Sequence, residues 1–149
     1  NIVHSYVVGS GSKNLLILHG FLGTGDNWKS LAKQWLGFGY KIHLLDQRNH
    51  GKSFWHNKFD YDTLAQDVIN YINHHKIIRP SILGHSMGGK VAMTIACNQP
   101  ELINKLIIVD IVPKTYKNSH KEILVGLSSL DFKEIKSREI ADYKLSNYV

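Results

Sequence analysis

The chain has 149 residues, 43% of them hydrophobic and 20% charged, which suits one globular domain with a real core and excludes a disordered chain. No apolar run approaches the ~18 residues of a membrane span, and the first residues, Asn1 to Ser5, lack the basic and apolar stretches of a signal peptide. The net charge of +6 is scattered, so no nucleic acid is expected as a partner, and the single Cys97 excludes an internal disulfide or a cysteine-based zinc site and suits a reducing, cytoplasmic setting.

Residues 2–8 form a short β-branched run, closed by Gly9 and Gly11. Leu15, Leu16, Ile17 and Leu18 are an unbroken apolar run, the pattern of a strand buried on both faces. Trp28, Leu31, Ala32 and Trp35 follow at helical spacing, which predicts a helix capped by Asp26, running to about Leu36 and ended by Gly37 and Gly39. Residues 42–45 read as the next strand and 47–60 as a polar loop. Asp60 or Asp62 is expected to cap a helix whose stripe is Tyr61, Leu64, Ala65, Val68, Ile69 and Ile72. A brief strand at 81–83, a helix carrying Val91, Ala92, Ile95 and Ala96, and a fourth buried strand at 106–109 complete the series. Strands alternating with helices indicate βαβ units: an α/β fold with a mostly parallel sheet and helices on both faces. After Pro113 two short amphipathic helices are expected, on Ile123, Leu124, Leu127 and Leu130, then on Ile135, Ile140 and Tyr143.

The sharpest chemical signal is Gly84, His85, Ser86, Met87, Gly88, a G-x-S-x-G between a predicted strand and a predicted helix. That setting puts a serine on a strained turn, with glycines letting neighbouring backbone pass close, and aims its hydroxyl at a helix N-terminus that favours developing negative charge. A plain turn with Ser86 as a helix cap is the competing reading. A nucleophilic serine also needs two donors for the oxyanion it creates. The backbone N–H of Met87 is one candidate. The other is Phe21, in the loop His19, Gly20, Phe21, Leu22, Gly23 that follows the first buried strand. His19 itself reads as a buried, hydrogen-bonded structural residue, and Asp46 and Arg48 as scaffold at the rim. Asp110 ends the strand after the Ser86 helix, at the sheet edge where ligands of open α/β sheets bind. Position alone leaves it equally a solvated strand terminus.

With H-G-F-L-G, D-Q-R-N-H-G-K-S, G-H-S-M-G-G-K and V-D-I-V-P in this order, the chain resembles the α/β-hydrolase superfamily, most of all the small YbfF-type bacterial esterases and their mitochondrial abhydrolase relatives. The resemblance runs from Leu15 to about Leu130. It implies that residues 1–113 are the N-terminal part of the hydrolase core and 114–149 the start of a helical cap, truncated there. It implies a serine hydrolase of carboxylic esters or thioesters, acting through an acyl-enzyme on small-molecule substrates, with no metal or organic cofactor. Ser86 would be the nucleophile and Asp110 the acid, with Gly20, Gly84, His85 and Gly88 in support. The family's triad histidine comes later in the chain. His120 is the only histidine after Ser86, and it reads as a surface or cap residue, so the base is expected outside this sequence. His85 should turn its ring away from the nucleophile. A non-catalytic or degenerate hydrolase-fold module is the alternative, with a C–C hydrolase or lyase of the same fold behind it. Without flanking strands, 106–109 would be an exposed edge inviting association.

Overall fold

A computed structural model describes residues 1–113 of the chain; the two helices expected after Pro113, the cap assigned to 114–149 and His120 lie outside the described residues. The elements are β1 (Ser5–Val8), β2 (Lys13–Leu18), α1 (Lys29–Gln34), β3 (Tyr40–Leu45), α2 (Tyr61–His74), β4 (Ser81–His85), α3 (Met87–Asn98) and β5 (Leu106–Val109). The five strands form one sheet in the order β1-β3-β2-β4-β5. All pairings are parallel except that of β1 with β3.

The central strand β2 explains the architecture. Its Leu16, Ile17 and Leu18 are wholly buried, because β3 and β4 flank it and helices cover both faces. Successive side chains alternate between faces. Leu16 and Leu18 join Val68 and Ile72 of α2 and Val91 and Ile95 of α3 in one apolar layer. Leu15 and Ile17 join Ala32, Trp28 and Trp35 in the other. Helix α2 begins where expected: Asp60 Oδ1 accepts the Thr63 N–H at 2.7 Å. Its buried face is wider than the apolar stripe, for it also holds Asp67 and Tyr71.

Two expectations need correction. The helix predicted from Asp26 to Leu36 is broken into a 3-10 turn (Gly25–Trp28), the short α1 and a second 3-10 turn (Leu36–Phe38). Its cap is Thr24, whose N–H donates to Asn27 Oδ1 at 2.8 Å, while Asp26 lies inside the turn and pairs with Lys29 at 2.7 Å. Gly39, at φ +78, closes the segment in the left-handed conformation that glycine adopts freely. The strand at 106–109 is present but is not buried like the other three. It is the edge of the described sheet, with Leu106 at 37%, Ile107 at 42% and Val109 at 36% exposure. Among the described residues no helix is long and apolar enough to cross a membrane.

Candidate active site

Ser86 sits between the last residue of β4 and the first of α3, at φ +50 and ψ −113. Positive φ costs a non-glycine residue energy, so surrounding contacts must impose it. They do: its N–H donates to Val109 O at 3.0 Å, and its carbonyl accepts from Gly89 N at 2.9 Å and Lys90 N at 3.2 Å. The glycines make the turn possible. A Cβ on Gly84 would collide with the Gly88 backbone, one on Gly88 with the Leu18 carbonyl, and one on Gly89 would stand 2.5 Å from Ile111 Cγ2. Met87 opens α3, so its own N–H lies at the helix N-terminus and has no helical carbonyl one turn earlier to bond.

The 19–23 loop lies against this turn. A Cβ on Gly20 would be 3.5 Å from Ser86 Cβ and 2.9 Å from His85 Nδ1, so a side chain there would have to push the His85 ring aside. Two histidines hold the loop. His19 Nε2 accepts the Gln47 N–H at 3.0 Å, which leaves Nδ1–H to donate to Gly20 O at 2.8 Å. Burial lowers its pKa to about 4, against a smaller upward pull from that bond to Gly20. His19 is therefore a neutral ring with both nitrogens spent on backbone, as the structural reading expects. His50 repeats the arrangement: Nε2 accepts the Leu22 N–H at 3.1 Å and Nδ1–H donates to Arg48 O at 2.9 Å. Its ring also meets Phe21 edge-on at 5.9 Å. The sequence places His50 no better than its neighbours as a base and does not predict this loop contact; its position within D-Q-R-N-H-G-K-S was the available signal.

Behind the loop, Asp46 accepts Gly25 N at 2.8 Å on Oδ1 and Lys52 N at 2.9 Å on Oδ2. Burial pushes its pKa up, but the Lys52 and Gly25 amides, with His4, outweigh that and hold it below the usual carboxylate value. Arg48 forms a buried two-pronged pair with Asp67 of α2, at 2.5 and 2.7 Å. Asp46 and Arg48 are thus scaffold, tying the 47–60 loop to the sheet and to α2.

Asp110 follows β5 at φ +57 with its side chain 81% exposed, and its Oδ2 lies 3.6 Å from His85 Nε2. The expectation that His85 turns away needs qualification. Its ring stays beside the turn, between Gly20 and Asp110, edge-on to Trp28 at 5.9 Å. Gly20, Phe21, Asn27, Trp28, Leu31 and His85 line an open depression of about 360 Å³. The structure thereby gathers Ser86, Gly20, His85 and Asp110 at the carboxyl ends of β2, β4 and β5, where ligands of such sheets bind.

A sequence model of the family described as "alpha/beta hydrolase fold" matches residues 13–134. The chain belongs to the α/β-hydrolase family. It is 41% identical over 115 residues to the "sn-1-specific diacylglycerol lipase ABHD11" of Danio rerio, covering 76% of this chain and 36% of that protein. It is 30% identical over 128 residues to "Esterase YbfF" of Escherichia coli strain K12, covering 85% of this chain and 50% of that protein. The chain thus spans half or less of the length of these relatives. Among solved structures, a "Marine microorganism esterase" superposes with a TM-score of 0.83 at 36% identity, covering 99% of this chain and 59% of the other.

Proposed function

We propose that the protein carrying this chain is a serine hydrolase of carboxylic esters or thioesters, and that residues 1–113 are the N-terminal part of its hydrolase core. The observation that carries the reading is Ser86 held at φ +50 between β4 and α3 with Gly20 packed against it. The family match and the similarity to proteins named esterase and lipase support it.

In this reading Ser86 Oγ attacks the acyl carbonyl carbon, and the carbonyl π pair moves onto oxygen. The Met87 and Phe21 amides stabilise that oxyanion. A histidine from beyond the described residues takes the serine proton, and Asp110 orients it and stabilises its charged form. Collapse expels the alcohol or thiol, which receives that proton. Water then attacks the acyl-enzyme by the same route and releases the carboxylic acid. The chemistry needs no metal or organic cofactor. The depression beside Trp28 and Leu31 would receive an apolar part of a small-molecule substrate.

The test is hydrolysis of short p-nitrophenyl esters and labelling by a fluorophosphonate probe, using the complete protein. Ser86→Ala is expected to abolish labelling and to cut turnover by orders of magnitude, ~10⁶ in the best-studied case. A wild-type protein that neither labels nor turns over ester would favour the non-catalytic alternative. Labelling without ester turnover would point to a C–C hydrolase or lyase.

A further inference from the structure

A second cavity, of about 440 Å³, opens away from Ser86, beside the beginnings of β2 and β3 and the end of α2. None of its wall residues belongs to the site described above. Its floor is a polar chain in an otherwise apolar layer. His43, 3% exposed, reaches Asn14 Oδ1 from Nε2 at 3.0 Å and Tyr71 Oη from Nδ1 at 2.9 Å. Tyr71, 1% exposed, in turn meets Ser5 Oγ at 2.7 Å.

Counting donors and acceptors shows what this wall lacks. Burial first, then the nearby Lys41 charge, lowers the His43 pKa to about 4, so the ring is neutral with one donor and one acceptor nitrogen. Nε2–H donates to Asn14 Oδ1, Nδ1 accepts from the Tyr71 hydroxyl, and Tyr71 Oη accepts from Ser5. The acceptor nitrogen of His43 is thereby used internally, and Ser5 Oγ keeps acceptor capacity. Donors nevertheless predominate on the wall, and all its charged groups are donors: the Asn14 amide nitrogen, an N–H of His75, and the ammonium groups of Lys41 and Lys76. No carboxylate lines the cavity, and neither lysine has an ion-pair partner among the described residues. The C-terminal dipole of α2 by itself accounts for basic groups at 74–76. It does not account for Lys41 on β3 or Asn14 on β2, which come to the same cavity from other elements.

We propose that this cavity is a binding site for a small, multiply charged oxyanion of the phosphate class, held by Lys41 and Lys76 with Asn14 and His75 donating to its oxygens. Charge-assisted bonds from two cations and two neutral donors match the several acceptor oxygens of such a group. The proposal does not depend on the hydrolase reading, since the two sites share no residue.

The test titrates inorganic phosphate into the complete protein at about neutral pH and constant ionic strength, following the ring resonances of His75 and Tyr71 by NMR, with chloride as the control anion. Saturable shifts are expected with phosphate and none with chloride. The Lys41→Ala, Lys76→Ala double variant should bind phosphate about tenfold more weakly or worse, whereas Lys33→Ala, on α1, should leave binding unchanged. Both lysines are exposed, and an unaltered far-UV circular dichroism spectrum verifies the fold; Lys41→Gln is read in its place if the double variant is misfolded. Absence of saturable shifts, equal shifts with chloride, or unchanged affinity in the lysine variants overturns the proposal.

Discussion

At the scale of single residues, two buried histidines set how the protein responds to acid. His19 and His43 both have pKa values lowered by burial to about 4, from an ordinary 6.5. The unfolded chain therefore binds more protons than the folded one between those values, by up to two. Stability is full above roughly pH 6.5 and falls as the pH drops toward 4. Asp46, held below its ordinary value by its amide donors and His4, adds to the same trend at still lower pH. Urea denaturation between about pH 7.5 and pH 5 should show a steady loss, and His43→Gln should make the slope shallower by about one proton. A flat profile would rule this account out. Asp110 carries the second expectation at this scale. If it orients the base, Asp110→Asn keeps its shape, removes its charge and lowers ester turnover by ~10⁴, by analogy with serine proteases. A nearly silent Asp110→Asn would move the acid's role to another carboxylate.

Between elements, the Arg48–Asp67 pair is the contact whose loss would be felt furthest. The two side chains are 8% and 6% exposed, and Arg48 also donates to Lys58 O at 2.8 Å. One pair thus fastens the 47–60 loop to α2, and His50 on that loop in turn holds the 19–23 segment at Leu22. Removing only the carboxylate leaves a guanidinium buried without its counter-charge. Asp67→Ala should therefore cost roughly 3–5 kcal/mol in urea denaturation, while the double variant Arg48→Met, Asp67→Leu should recover most of it. A loss below about 1 kcal/mol would mean that the pair is more hydrated than its burial indicates.

Over the whole molecule, the sheet decides how the 149-residue chain behaves in isolation. Strand β5 is the edge of the described sheet, and three of its four residues are substantially exposed and apolar. Such an edge offers backbone donors and acceptors to a second chain. The isolated chain should elute above monomer size and bind a hydrophobic dye, and Ile107→Lys should shift it toward monomer by placing a charge on that edge. A monodisperse wild-type monomer that does not bind the dye would refute this. Such a monomer, if it also turned over ester, would bring the base within the chain.

The sequence by itself determined what depends on neighbours along the chain. The apolar run at 15–18, the acidic cap at Asp60 or Asp62 and the strand, G-x-S-x-G, helix succession are local patterns; each appears in place, and the structure selects Asp60 as the cap. Local patterning failed where tertiary packing competes. Helical spacing from Trp28 to Trp35 did not reveal that Thr24 and Asn27 would cap a 3-10 turn and that the segment would break into short pieces, although Gly39 ends it as the sequence indicates. Nor does any spacing say that β1 runs antiparallel to β3, that Asp67 on the apolar face of α2 meets an arginine nineteen positions earlier, or that the His85 ring stays near Asp110. These are contacts between residues distant in sequence. They exist because parallel strands need helical crossovers, which bring far segments together, and because every polar group buried by that packing must then find its partner in space.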